Sequence, residues 1–120
     1  MGPRHPSADD GYLAGLFDGE GYVVTHWKKR HCLLTLTMTD EDAVRRFHRI
    51  TGVGTVYGPN PPSKNGRRPW WRWCCWKFSE AEMLFERMRP WLCARRIEAF
   101  KTMLARKPPP KRYSLPCDQD

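Results

Sequence analysis

The sequence has no apolar run near the ~18 residues that a membrane-spanning helix needs. Its opening stretch, MGPRHPSADD, lacks the apolar centre of a secretory leader. Pro3 and Pro6 crowd that stretch and no Ser or Thr stands at position six, which argues against myristoylation. Cys-x-x-Cys is missing, and the five cysteines (Cys32, Cys74, Cys75, Cys93, Cys117) are odd in number and without paired spacing. A zinc ribbon or a disulfide framework is therefore disfavoured. Reduced, mostly buried thiols in a cytosolic compartment are the simplest reading; a mixed site of His26, His31, Cys32 and one of Cys74 and Cys75 is the alternative. Acidic residues are also in deficit, 13 against 21 Lys and Arg, for a formal charge of +8 and a pI near 9.6. Such a balance calls for an anionic partner, with nucleic acid the first candidate.

At 120 residues the chain supports one core. Residues 1–6 read as a disordered tail, 7–106 as a single domain, and 107–120, with KPPPKRY, as a Pro-rich basic tail of extended character. Within the domain, Ser7 or Asp9 can cap a first helix whose apolar residues Leu13, Leu16 and Phe17 fall at helical spacing. Tyr22–Lys28 and His31–Met38 read as a hairpin joined at Lys29 and Arg30. Asp40 opens a second helix carrying Ala43, Val44, Phe47 and Ile50, which Gly52 ends. Val53–Gly58 and Trp70–Phe78 read as strands around a basic loop with Lys64, Arg67 and Arg68. Ser79 and Glu82 form a capping-box pair for a third helix. Pro90 interrupts it before a last helix over about 95–106.

The unusual stretch is LAGLFDGEG, residues 13–21, which is not repeated. Gly15 and Gly19 lie one turn apart, each costing about 1 kcal/mol against alanine in a helix. Asp18 and Glu20 crowd its C-terminal end, where the dipole disfavours negative charge. A glycine ridge allows close approach of a second helix. A two-fold contact between copies, through Leu13, Ala14, Gly15, Phe17 and Gly19, would bring their terminal carboxylates together. Carboxylates so placed repel unless a cation sits between them, and Mg²⁺ (or Mn²⁺) suits oxygen ligands beside a phosphodiester. The bland alternative is an amphipathic helix stopped by Gly19 and Gly21, with solvated acids.

LAGLFDGEG resembles the signature of the LAGLIDADG homing endonucleases at Leu13, Ala14, Gly15, Leu16, Asp18 and Gly21, with Glu20 for the second Asp. The order of elements agrees over about residues 9–105. The resemblance implies an α+β fold of order αββαββα: a saddle-like antiparallel sheet of four strands with helices on one face. It also implies a homodimer for a single-motif chain, and a metal-dependent endonuclease acting on both strands of a pseudo-palindromic DNA duplex. Glu20 corresponds to the family's metal ligand, while Asp18 is expected to support the helix end. Asp40 matches a position that contacts metal-bound water, although a helix cap explains it too. Arg95 matches a basic residue near the scissile phosphate, although a solvated charge explains it too. Bacterial or phage origin fits the Glu variant, and an organelle is also compatible.

A sheet with one free face can enter a major groove and meet base edges with alternate side chains. The expected groove-facing set is Val24, His26, Lys28, His31, Leu33, Thr35, Thr37, Thr55, Tyr57 and Arg72, with Val23, Thr25, Trp27, Trp71 and Trp73 packed inward. Lys29, Arg30, Lys64, Arg67 and Arg68 are placed to meet phosphates, and Lys111 and Arg112 could add to them from the tail. Tryptophans stacking single-stranded bases are a competing reading. At the level of function the competitor is a non-catalytic DNA- or RNA-binding protein of the same fold, an intron maturase or a regulator.

Overall fold

The computed structural model describes residues 7–26, 32–62, 64, 66 and 68–108. Helix α1, Ala8–Glu20, starts at Ser7, whose side chain accepts the Asp10 amide at 3.1 Å. Asp9 and Asp10 fill the first turn, where the dipole favours them. Directly after it comes β1, Gly21–Val23. The turn is tight because a Cβ on Gly21 would overlap the Phe17 ring, so the last residue of the motif is glycine for steric reasons.

Strand β2, Leu34–Met38, leads through Asp40 to α2, Glu41–Thr51. The Asp40 carboxylate accepts the Ala43 amide at 3.1 Å. Gly52 ends the helix in the left-handed conformation (φ 72°) that a Cβ disfavours. Strands β3, Thr55–Asn60, and β4, Trp70–Cys75, complete an antiparallel sheet of order β1-β2-β4-β3. Helices α3, Phe78–Met88, and α4, Ala94–Leu104, flank Pro90.

The core lies between one sheet face and the helices. Leu13 and Phe17 of α1, Leu34 and Leu36 of β2, Phe47 of α2, Trp73 of β4, Leu84 of α3 and Phe100 of α4 are fully buried there. Phe47 meets Trp73 edge-on at 4.9 Å, and Phe17 lies 5.7 Å from Phe100. Such aromatic contacts add about 1 kcal/mol each beyond area burial. The Trp73 indole N–H donates to the Val53 carbonyl at 2.9 Å, so its polar edge is satisfied inside.

Several expectations change. β1 is three residues long rather than the seven of Tyr22–Lys28, with bends at Thr25 and His26. Val24 and Leu33, expected on the free face, are both buried. The Val24 amide donates to the Leu33 carbonyl at 2.8 Å at the end of the sheet, where the strands bend and the two-residue alternation lapses. The Ser79–Glu82 capping box does not form. α3 begins two residues earlier behind Lys77, which makes no side-chain cap, and Glu82 pairs with Lys107 at 3.1 Å. The expected tails, residues 1–6 and most of 107–120, lie outside the described residues.

Candidate functional site

The helices cover one face of the sheet, and the other is open. Strand register places Thr35 and Thr37 of β2, Arg72 and Cys74 of β4, and Thr55 and Tyr57 of β3 on that open face. Five of these six were expected there. Trp70 and Trp76 share the parity of Arg72 along β4, and Tyr22 of β1 stands opposite Thr35. These three aromatic residues were missed, although strict alternation counted out from Arg72 finds Trp70 and Trp76. Tyr57 and Trp76 meet edge-on at 5.8 Å, and both are exposed.

At the end of this face, where α1 stops, lies a groove of about 850 Å³. Glu20, Thr37, Thr39, Arg68, Trp70 and Arg72 are among its lining residues. It joins the helix-end acid to two guanidiniums. Arg68 is held by a hydrogen bond from Nη2 to the Thr39 hydroxyl at 3.0 Å. Arg72 donates from Nε to the Thr37 hydroxyl at 3.1 Å and lies 4.9 Å over the Trp70 ring.

The two acids of the motif have separate fates. Both Asp18 carboxylate oxygens face the Cys93 amide, at 3.2 and 3.3 Å, at the start of α4. Asp18, expected to support the end of its own helix, instead supports the start of α4. Glu20 is exposed, and among the described residues no hydrogen bond or ion pair engages its carboxylate. It is one free hard-oxygen ligand. Among the described residues no group of three or more His, Cys, Asp and Glu comes together. The described residues of one chain therefore offer Glu20 without a cage around it, a donor set that suits a cation shared with a second carboxylate, water and phosphate.

Asp40 caps α2 through one carboxylate oxygen and is not among the residues that line the groove. Arg95 is exposed on the first turn of α4. Its neighbour Arg96, which sequence reasoning passed over, turns back to α1. Arg96 Nη2 donates to the Asp18 carbonyl at 3.3 Å, and its guanidinium lies 5.7 Å over Phe17. A cation at a helix C-terminus is favourable, which offsets the acids crowded there.

The expected dimer contacts divide by helix face. Leu13, Ala14 and Phe17 are fully buried inside this chain and have no surface left for a partner. Gly15 and Gly19 are exposed on the opposite side, with no heavy atom within 4 Å of where a Cβ would stand. His26 and Lys64 are exposed. Lys28, Lys29, Arg30, His31 and Arg67, together with Lys111 and Arg112, lie outside the described residues.

Burial keeps Cys74 and Cys75 protonated. Desolvation pushes Cys74 up to about 12, helped by the neighbouring Cys32 and opposed by a hydrogen bond from Thr35. Cys75 is likewise pushed up to about 12, chiefly by burial. Among the described residues Cys32, Cys74, Cys75 and Cys93 are free; two of these four are buried and Cys93 is exposed.

The fold is an α+β sheet platform, open on one face, with a helix ending in a free carboxylate at its edge. Residues 7–54 match the model of the LAGLIDADG-like domain family, and the motif occurs once in the 120 residues. The chain is similar in fold to the homing endonuclease I-CvuI, solved with the I-CreI target in 2 mM Mg with the DNA not cleaved. Identity there is 19%, the TM-score 0.56, and the match covers 81% of this chain and 68% of that one. For I-CvuI with its own target in 2 mM Ca, identity is 20%, the TM-score 0.58, and the coverage 78% and 62%. The chain thus spans less than two thirds of the second of these. No curated protein matches the sequence. None of the described helices is long and apolar enough to cross a membrane.

Proposed function

We propose that this protein is a homodimeric, divalent-metal-dependent, site-specific DNA endonuclease. The observation that carries this is the free Glu20 carboxylate at the end of α1, in the same groove as Arg68 and Arg72. The open glycine face of α1 supports the dimer. Among the described residues nothing needs Gly15 or Gly19 to lack a side chain, whereas a close helix–helix contact does. In that dimer Glu20 and its symmetry mate would hold Mg²⁺ or Mn²⁺, which would supply activation of water and stabilisation of the leaving oxygen at the phosphodiester.

The chain's own residues bind and orient the duplex. Thr35, Thr55, Tyr57 and Arg72 face base edges, with His26 beside them. Lys64 and Arg68 meet phosphates, and Arg95 adds positive charge close to the end of α1. A two-fold protein predicts a pseudo-palindromic target. The deciding experiment is cleavage of a plasmid bearing the gene's own genomic flanks with Mg²⁺, comparing wild type with Glu20→Gln. Linear product from wild type alone, with binding retained by the variant, supports the endonuclease. Binding without cleavage by both proteins overturns it in favour of a maturase or regulator.

A further inference from the structure

We propose that Arg72 reads one guanine in each half of the target, next to the position that faces Glu20, and that Thr37 acts as its positioning residue. This rests on the DNA-binding reading above and adds a base identity to it.

The argument begins with place. β4 is an inner strand of the sheet and Arg72 is near its middle, exposed on the open face. When such a face lies along a major groove, inner-strand side chains meet base edges, and the flanking loops meet the backbone. Arg68 and Lys64 belong to the loop; Arg72 does not. Trp70 and Arg72 also line a second hollow of about 330 Å³ with Tyr57, Asn60 and Cys74. Arg72 therefore borders both concavities.

Next comes conformation. Arg72 and Thr37 are register partners across β2 and β4, and the Nε–H of Arg72 donates to the Thr37 hydroxyl. The Trp70 ring lies under the guanidinium at 4.9 Å. One donor and one face are thereby occupied, and the rotamer freedom of a long side chain is restrained before DNA arrives. Among the described residues, neither Nη1 nor Nη2 donates to the protein. Their paired N–H groups are the part of the fork that remains outward.

Chemistry then selects the base. In the major groove guanine offers two acceptors, O6 and N7, that match this pair, whereas adenine places a donor amine where O6 would be. The groove that Arg72 shares with Glu20 puts the guanine beside the cleavage position. Thr37, whose hydroxyl already accepts from Arg72, orients the reader.

The test is selection of a randomised duplex library by the full chain, with Ca²⁺ replacing Mg²⁺, for wild type, Arg72→Gln, Arg72→Lys and Thr37→Val. Wild type is expected to enrich guanine at one symmetric pair of positions. Arg72→Gln should lose that preference by about 10- to 100-fold and keep the others. Arg72→Lys and Thr37→Val should weaken it at the same positions only. Thermal melts establish that each variant is folded. An Arg72→Gln profile identical to wild type, or a loss of affinity equal for all sequences, overturns the guanine assignment and leaves the DNA-binding reading standing. Failure of wild type to enrich any duplex overturns both.

Discussion

The Asp18 carboxylate, on the last turn of α1, accepts the backbone amide of Cys93 at the start of α4 through both oxygens, at 3.2 and 3.3 Å. α4 has no acid in its first turn, and Cys93 makes no side-chain cap. Arg95 and Arg96 instead bring positive charge to the positive end of the dipole. Asp18 supplies from another helix the acceptor that a capping-box glutamate supplies from within. Asp18→Ala should lower stability by about 1 kcal/mol in urea unfolding, with Asp18→Asn in between. A variant as stable as wild type would show that the contact contributes nothing.

Asp10 and Arg87 form a second link, with Nε 2.7 Å from Oδ1, and Arg87 Nη1 donates to the Ile50 carbonyl at 3.1 Å. Asp10 is 1% exposed, so removing Arg87 takes a close cation from a buried carboxylate, and removing Asp10 takes the carboxylate from a largely buried guanidinium. Either Asp10→Ala or Arg87→Ala should cost about 3–5 kcal/mol, and the double variant less than the sum. A double-mutant cycle with additive losses would refute this coupling.

The glycine face separates folding from assembly. Gly15→Leu or Gly19→Leu has open space within the chain and should leave a folded, helical monomer by circular dichroism. The same variants should abolish dimerisation in sedimentation equilibrium, because the proposed helix pair needs a close backbone approach. Persistence of a dimer in both variants would move the interface elsewhere.

Phosphate contact and base contact should differ in their salt response. Arg68→Ala and Lys64→Ala are each expected to reduce affinity by a similar factor for every sequence. Each should also flatten the slope of log K against log salt by about one. Titrations at several salt concentrations check this, and a sequence-dependent loss would reassign the residue to base reading.

Burial of Cys74 and Cys75 links stability to alkaline pH. Each thiol rises from the ordinary 9.0 to about 12, so between these values the folded state holds protons that the unfolded chain has released. The stabilisation is complete below about pH 9 and is lost as pH rises toward 12. Denaturation midpoints should fall across that window, and Cys74→Ala should reduce the slope. At pH 8 a thiol reagent should modify the exposed Cys93 and leave Cys74 and Cys75 untouched until the protein unfolds.

The order of elements was legible because its signals are local. Ser7 and Asp40 cap the helices they precede, Gly52 ends α2, Pro90 separates the last two helices, and alternation marks Leu34 to Met38 as a strand. Local signals failed at the sheet's end. Val24 and Leu33 follow the bending of two strands, which neither strand's own pattern contains. They failed also at Ser79, where a capping pair lost to a helix that starts at Phe78. Within the candidate site, Glu20 was legible from the motif and Arg72 from alternation. The bond from Arg72 to Thr37 joins residues 35 apart in the chain, and no spacing rule reports it.

The sequence by itself determined the chain's positive charge, its single motif, the succession of helices and strands, and the acid at the end of the first helix. Each depends on residue type and near neighbours. Only the tertiary structure decided what covers each face. Leu13, Ala14 and Phe17 looked available to a second chain, but the sheet and α4 of the same chain consume them, leaving Gly15 and Gly19 outside. It also decided that Asp18 serves α4 while Glu20 stays free. An apolar face or a carboxylate declares what kind of partner it needs, but which partner reaches it first depends on the packing of segments far apart in sequence.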